Sequence, residues 1–182
     1  MKKQQGFTII EDSREQHPLD FTPYEPFGVS VERRKLQCGD YSILGWEHHL
    51  MIERKSLNDC VSTLTHGRDR FMREIYDRGS VIPCKHMVIE ASWHDLSSPF
   101  NFAPGANPLG IVNTLYSLMC PPTGIHIFAS PNRVMCAWYI VMVCLNFHRR
   151  MTQGSRGIWR SLFDPRSADL APIPVPYQSI GG

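Results

Sequence analysis

Residues 39–59 read GDYSILGWEHHLMIERKSLND and place acids where two strand-like segments can meet. Asp40 opens the first segment, and Glu53 and Lys55 close the second. Because alternate side chains share a face of a strand, Glu53 and Lys55 point one way and Arg54 points the other. If the chain between the segments closes as a hairpin, Asp40 falls near Glu53 beside an amine. A solvated hairpin, a structural ion cluster and a metal site all remain compatible with this pattern.

Two facing carboxylates repel each other, and the pKa of one of them rises unless a cation neutralises the pair. Mg²⁺ suits such a pair because it takes one or two protein carboxylates and keeps water and phosphate oxygens as its other ligands. A bound ion stabilises charge on a phosphate and activates water, and a lysine such as Lys55 can orient either group. The residues therefore favour phosphodiester hydrolysis with Mg²⁺ or Mn²⁺. An E-x-K pattern alone is weak evidence, since many exposed strands carry one as a surface ion pair.

The surrounding sequence predicts an α/β fold in which a central mixed sheet is flanked by helices. Short apolar or alternating runs predict strands at FTII, VSVERRKL, YSILG, HLMIERK, KHMVIEA and GIHIFA. Helices are predicted at residues 57–66 with Ser56 as the N-cap, in the arginine-rich segment up to Gly79, and from Asn107. A further helix is predicted with Ser130 as its N-cap and Pro131 as its first residue.

The composition predicts one globular domain in a reducing compartment. The chain has 182 residues, of which 42% are hydrophobic and 20% charged. The start, MKKQQGF, has no apolar run behind it, and we expect a cytoplasmic protein. The most apolar stretch, residues 134–147, is shorter than the roughly 20 residues of a bilayer span, so it predicts a core helix and no membrane contact. The six cysteines form no C-x-x-C pair, which argues against a zinc or redox motif.

Net charge is too small to indicate a nucleic-acid partner by itself. The formal value is +2, so any DNA binding must depend on local patches. One such patch follows His66, where Arg68, Arg70 and Arg73 recur near helical spacing. A solvated helix face is the alternative explanation for the same residues.

A longer pattern of acids and bases runs through the first 60 residues. It reads D-x-R-E at Asp12, Arg14 and Glu15, G-D at Gly39 and Asp40, and E-R-K-x-x-x-D at Glu53, Arg54, Lys55 and Asp59. This order resembles the nuclease domain of the XPF, Mus and Hef family of structure-specific endonucleases, a branch of the restriction-endonuclease-like fold. The resemblance covers roughly residues 7–150, and the chain looks like the compact single-domain members of bacterial and phage type.

The resemblance implies a role for each residue that matches the pattern. Asp12, Asp40 and Glu53 would be metal-linked acids, and Lys55 the catalytic lysine. Arg14, Glu15, Arg54 and Asp59 would support them, and the backbone carbonyl of Arg54 is a further candidate ligand. Contacts with the DNA backbone are expected from Arg14, Arg68, Arg70 and Arg73.

The implied protein is a Mg²⁺- or Mn²⁺-dependent DNA endonuclease acting on branched, flapped or nicked DNA in repair, recombination or replication. The alternative is a non-catalytic DNA-binding partner subunit of a nuclease complex. The domain boundaries we expect are a nuclease domain at 1–163 and a proline-rich tail at 164–182 that could dock on a partner protein. The family resemblance also implies a homodimer, with a well-packed monomer as the alternative.

Two of these residues, Arg54 and Asp59, also have structural explanations that need no catalytic role. A desolvated arginine needs a carboxylate, so Arg54 is predicted to pair with Asp12 or Asp59 if its role is structural. Asp59 can serve only as an acid in the first turn of a helix, where the helix dipole favours it.

Overall fold

A computed structural model describes residues 6–77, 81–102 and 107–163 of the chain, without the side chains of residues 76, 77 and 153–163. The predicted tail at 164–182 and Gly79 lie outside the described residues. Within the described part, six strands form one mixed sheet with helices on both of its faces. The predicted α/β class with a central mixed sheet is confirmed.

The strands are β1 (Phe7–Asp12), β2 (Val29–Arg34), β3 (Tyr41–Ile43), β4 (Leu50–Ser56), β5 (Cys84–Glu90) and β6 (His126–Ala129). The helices are α1 (Leu57–Thr65), α2 (Arg68–Asp77), α3 (Trp93–Ser97), α4 (Pro108–Met119) and α5 (Arg133–Phe163). Two short 3-10 helices lie at Thr22–Phe27 and Pro99–Asn101.

The sheet order is β2-β1-β3-β4-β5-β6, and β3 is the one strand of the six that runs antiparallel to its neighbours. The predicted hairpin therefore exists as β3 and β4. Parallel strands need a crossover between them. Helices α1 and α2 supply it between β4 and β5, and α3 and α4 supply it between β5 and β6.

Each face of the sheet has its own apolar core. On one face Ile9, Tyr41 and Ile52 pack with α5 residues such as Ile140. On the other face Met51, Met87 and Ile89 pack with residues of α1 to α4, among them Leu64 and Leu115. Because side chains alternate along β4, Glu53 and Lys55 lie on the face of α1 and α2, and Arg54 lies on the face of α5.

Helix α1 begins as the sequence predicts. The Oγ of Ser56 accepts the backbone N–H of Asp59 at 3.1 Å and donates to the Asp59 carboxylate at 2.6 Å. The helix ends at Thr65, one residue before the predicted end. Asp59 thus stabilises the first turn of α1, which is the structural role that the sequence predicts for it.

Helix α5 begins later than the sequence predicts. The Oδ1 of Asn132, not Ser130, accepts the first helical N–H groups, from Val134 at 2.9 Å and Met135 at 3.3 Å. Ser130 Oγ instead accepts the N–H of Asn132 at 3.2 Å, which leaves Pro131 outside the helix. An asparagine is as good an N-cap as a serine, so the sequence alone could not choose between them.

Some large apolar side chains remain exposed on α4. These are Leu109, Tyr116 and Met119.

No partner chain is present, so the homodimer implied by the family resemblance stays a prediction. In the described part of the chain, no helix combines the length and the apolar character needed to cross a bilayer.

Candidate active site

The start of β3 brings Asp40 beside the end of β4. The Asp40 backbone N–H donates to the carbonyl of Ile52 at 2.9 Å, and Asp40 Oδ2 accepts the backbone N–H of Arg54 at 2.8 Å. Gly39 makes this approach possible, because its φ is +75° and a Cβ there would lie 3.1 Å from the Ile52 carbonyl oxygen. Asp40 therefore lies next to Glu53, as the hairpin predicts.

The negative charge of Glu53 acts on the half-buried Asp40 carboxyl. Burial, and then the Glu53 charge, raise the pKa of Asp40 to about 7, and Glu15 adds to the rise. The hydrogen bond from the Arg54 backbone and the charge of Lys55 oppose it only in part. Without a further cation the Asp40 carboxyl is therefore partly protonated near neutral pH. A divalent cation at this place would remove the repulsion that keeps the proton bound.

Lys55 forms a close ion pair with Glu53. Its Nζ lies 2.6 Å from Glu53 Oε1, and both side chains are 18% exposed. The Nζ also lies 5.6 Å from the ring centroid of Phe71, a residue of α2. Burial lowers the pKa of Lys55, but the charge of Glu53 and the hydrogen bond to it outweigh burial, so the pKa is raised. Lys55 is consequently a cation that can attract and orient oxygen atoms, not a free amine base.

Both carboxylate oxygens of Asp12 accept two hydrogen bonds each. The donors lie in the turn after β1 and in the segment after β2. Its Oδ1 accepts from the Arg14 backbone at 2.7 Å and from Arg14 Nε at 2.8 Å. Its Oδ2 accepts from Arg14 Nη2 at 2.9 Å and from the Leu36 backbone at 2.7 Å. Burial acts to raise the pKa of Asp12, but these hydrogen bonds lower it to about 2. The Asp12 backbone N–H donates to the Asp40 carbonyl at 2.8 Å, which joins this turn to the acid pair.

The predicted carboxylate partners of Arg54 are wrong. Arg54 binds Glu90, with Nε at 2.9 Å and Nη2 at 2.7 Å, and its Nη1 lies 3.5 Å from Glu15 Oε1. Strand β5 runs parallel to β4, and its register places Glu90 opposite Ser56, on the face of Arg54. Asp59 belongs to α1, on the opposite face. The pairing depends on a strand neighbour more than 30 residues away, which local sequence does not reveal.

A second arginine completes this ion network, and the sequence analysis missed it. Arg133, the first residue of α5, places Nη1 at 2.5 and 2.7 Å from the two oxygens of Glu90. Its Nη2 donates to the carbonyls of His17 and Pro18 at 3.0 and 2.8 Å. Burial raises the pKa of Glu90, but Arg54 and Arg133 outweigh burial and lower it. The network ties the loop after β1 to β4, β5 and α5.

Glu15 lies between this network and the acid pair. It is buried, its Oε1 accepts the backbone N–H of His17 at 2.7 Å, and its charge acts on both Arg54 and Asp40. Glu15 therefore lies beside the pair of Asp40 and Glu53 and is not a member of it. The resemblance implies a supporting role for this residue.

Exposed arginines lie on α2, the helix that packs beside Lys55. Phe71 and Ile75 bury the inner side of the helix, and the exposed arginines are Arg68, Arg70 and Arg73. Of their side chains, Arg73 makes a bond within the helix, from Nε to the Asp69 carbonyl at 3.2 Å. Phe71, on the inner side of α2, lies beside Lys55, so this helix packs next to the acid pair.

The donor set at this place fits a hard cation. Asp40 and Glu53 offer two carboxylates, which is the number Mg²⁺ commonly takes from protein while it keeps its remaining ligands as water or phosphate oxygen. Within the described ranges, no three His, Cys, Asp or Glu side chains converge to form a closed metal cage. The set therefore matches an open, oxygen-rich site better than a structural zinc site.

Comparison with known proteins identifies the family. The ERCC4 domain matches residues 11–142, which is more than half of the chain. No curated protein sequence matches. XPF from Aeropyrum pernix has a similar structure, with a TM-score of 0.61 and 17% identity over 85% of this chain and 71% of that chain. A structure of XPF from Aeropyrum pernix in complex with DNA gives a TM-score of 0.61 and 18% identity over 85% of this chain and 74% of that chain.

These similarities support a nuclease or DNA-binding role. The matched residues include Asp12, Asp40, Glu53 and Lys55, so the family match and the site coincide. The chain is a member of the ERCC4 domain family and has the fold of an XPF-type nuclease.

Proposed function

We propose that the protein is a metal-dependent DNA endonuclease that hydrolyses phosphodiester bonds. The observation that carries this proposal is the repelling pair of Asp40 and Glu53 beside the Lys55 ammonium. The half-buried Asp40 carboxyl, with a pKa of about 7, is unfavourable for an unliganded protein, and perturbed groups of this kind concentrate at functional sites.

In this proposal Asp40 and Glu53 hold Mg²⁺ or Mn²⁺, with the backbone carbonyl of Arg54 as a further candidate ligand. When bound, the ion supplies Lewis-acid stabilisation of the phosphate and a lowered pKa for a water ligand. Lys55 orients a phosphate or water oxygen with its ammonium group. A bound cation would lower the pKa of Asp40, so that this carboxyl would be ionised at neutral pH.

The remaining motif residues position these groups. Asp12 holds Arg14 and the turn beside Asp40. Arg54 and Glu15 fix the end of β4 from the opposite face. Asp59 fixes the start of α1 directly after the site.

DNA is the substrate we propose, because a similar solved structure is a complex with DNA and because exposed arginines lie on α2, the helix beside Lys55. Arg68, Arg70 and Arg73, together with Arg14, would bind backbone phosphates, and such contacts carry no sequence information. Branched, flapped or nicked DNA is the finer proposal, drawn from the family.

The test compares cleavage of forked, flapped, nicked and four-way DNAs by the wild-type protein and by Glu53→Gln and Lys55→Met. Both substitutions keep the size of the side chain, so the fold should persist. The control is Glu25→Gln, because Glu25 is exposed and forms no ion pair with any described residue. We expect cleavage by wild type and control with Mg²⁺ or Mn²⁺, loss of at least about 100-fold in both site variants, and DNA binding largely kept.

Two results would contradict the proposal. Normal cleavage by Glu53→Gln and Lys55→Met would mean that the site is elsewhere. DNA binding without cleavage by wild type under any divalent ion would instead favour a non-catalytic partner subunit.

A further inference from the structure

A thiol and an imidazole face each other at the start of β5. Cys84 and His86 are two residues apart on this strand, so both side chains lie on the face of α5. Cys84 Sγ lies 3.4 Å from His86 Nε2. Glu53 is opposite Met87 in the register of β4 and β5, and its side chain lies on the other face of the sheet. The pair is therefore separate from the candidate active site.

The distance between sulfur and nitrogen fits two ligands of one zinc ion. Tetrahedral Zn²⁺ has Zn–S bonds of about 2.3 Å and Zn–N bonds of about 2.0 Å, which places the two ligand atoms about 3.5 Å apart. Thiolate and imidazole are also donors that suit Zn²⁺, whereas Mg²⁺ prefers oxygen. Without a metal, the same distance is a hydrogen bond between a thiol and an imidazole.

A tyrosine of α5 holds the other ring nitrogen of His86. The Tyr139 hydroxyl lies 2.8 Å from His86 Nδ1, and the Tyr139 ring stacks on Phe128 with centroids 4.3 Å apart. Metal-bound histidines almost always form a hydrogen bond through their second nitrogen, which fixes the orientation of the ring. Burial and the neighbouring His126 lower the pKa of His86 to about 4, so the ring is neutral at neutral pH and can offer a nitrogen lone pair.

A second histidine lies beside the pair. The parallel register places His126 of β6 opposite His86, and the two rings stack with centroids 5.0 Å apart. In this stacked position His126 is not a third ligand, in agreement with the finding that no three such side chains converge among the described residues. His126 is exposed, so its ring can turn toward the sulfur without unpacking the core, and an ion can enter from solvent on this side.

We propose that Cys84 and His86, with His126 as the third protein ligand, form a Zn²⁺ site that joins β5 to β6. A water molecule supplies the fourth ligand. As the sulfur–zinc bond forms, the thiol releases its proton to solvent. Burial raises the pKa of Cys84, so the thiol keeps this proton until the metal displaces it. The site is independent of the proposed nuclease function.

Cobalt and zinc titrations of the untagged, reduced and metal-free protein test the site. Co²⁺ bound to a thiolate gives a charge-transfer absorption that carboxylate ligands do not give, and competition with a chromophoric chelator gives the Kd for Zn²⁺. The variants are Cys84→Ser, His126→Gln and Tyr139→Phe. Cys120→Ser and His48→Gln are the matched controls, because they remove an exposed thiol and an exposed imidazole outside the cluster. Circular dichroism confirms that each variant is folded.

We expect the wild-type protein to bind one Zn²⁺ with a Kd of about 1 µM or tighter, weaker than a closed four-ligand site, and to show the charge-transfer band with Co²⁺. Cys84→Ser should abolish the band and weaken Zn²⁺ binding at least about 100-fold, and His126→Gln and Tyr139→Phe should each weaken it about 10-fold. Both controls should stay within about twofold of wild type, and excess Mg²⁺ should not displace the bound ion.

Four results would overturn the proposal. They are a wild-type protein without the charge-transfer band, a band that persists in Cys84→Ser, wild-type Zn²⁺ affinity in His126→Gln, and an equal loss in Cys120→Ser. In each case the contact between Cys84 and His86 is a thiol hydrogen bond only. If Cys84→Ser does not fold, His126→Gln decides, because an exposed side chain can be replaced without disturbing the core.

Discussion

Replacing Asp40 by asparagine should stabilise the metal-free protein at pH 8. The half-buried carboxyl of Asp40 is held beside Glu53, and its pKa is raised from 3.8 to about 7. Asparagine has nearly the same shape, and its amide oxygen can still accept the Arg54 backbone N–H that Asp40 accepts at 2.8 Å. The substitution therefore removes the half-buried charge of Asp40 and keeps the hydrogen bond from the Arg54 backbone.

The size of the effect follows from linkage between ionisation and folding. Because the folded protein holds this proton more tightly than the unfolded chain, wild-type stability falls as pH rises from 3.8 to about 7. A rise of about 3 pKa units corresponds to at most about 4 kcal/mol once both states are ionised. Solvent reaches part of the Asp40 carboxyl, so we expect about 2 kcal/mol at pH 8 and less than about 1 kcal/mol near pH 4.

Urea denaturation in EDTA measures the free energy of unfolding of both proteins at pH 4, 6 and 8. Glu25→Gln is the control, since an exposed carboxylate should change stability by less than about 0.5 kcal/mol. Adding Mn²⁺ at pH 8 should stabilise wild type more than Asp40→Asn, because binding to the folded state adds RT ln(1 + [L]/Kd).

An Asp40→Asn protein that is no more stable than wild type at pH 8 would refute this reasoning. A stability difference that stays constant from pH 4 to pH 8 would refute it as well, since it would not come from ionisation of Asp40.

Three further substitutions test how the site is held. Gly39→Ala should destabilise the protein by about 1–3 kcal/mol in urea denaturation, because Gly39 has φ +75° and a Cβ would press on the Ile52 carbonyl. Arg133→Met should cost about 1–3 kcal/mol in the same assay, because it removes two charge-assisted bonds to the carboxylate of Glu90. Leu115→Ala, in the core beneath α4, should cost about 2–5 kcal/mol, yet DNA cleavage at a temperature where the variant is folded should persist.

Each of these has a contrary outcome. Wild-type stability of Gly39→Ala would mean that the backbone can leave the positive-φ region without cost. If Arg133→Met were as stable as wild type, the Glu90 network would not contribute to stability. Loss of cleavage by a folded Leu115→Ala protein would tie the site to the α4 core.

The local features of the site could be predicted because they depend on backbone periodicity. Alternation along a strand separates Glu53 and Lys55 from Arg54, and it holds wherever the strand pairs. The cap at Ser56 involves residues within one helical turn and is equally local. The hairpin followed from two strand-like runs joined by a short loop.

The partners of the charged residues could not be predicted in the same way. Arg54 pairs with Glu90 and Arg133 joins them because β5 lies parallel to β4 and α5 begins beside both. The sequence contains several acids that could pair with Arg54, and local patterns do not show which of them lie near its side chain.

The sequence by itself determined the six strands and the longer helices, the face on which each β4 side chain lies, and the meeting of Asp40 with Glu53 across a hairpin. The tertiary structure alone decided the strand order, the carboxylates bound to Arg54, and the hydrogen bonds that Arg14 and Leu36 donate to Asp12. The physical reason is separation along the sequence. Strand periodicity and helix capping involve residues within a few positions of each other, whereas these ion pairs join segments that only the packing of the whole chain brings together.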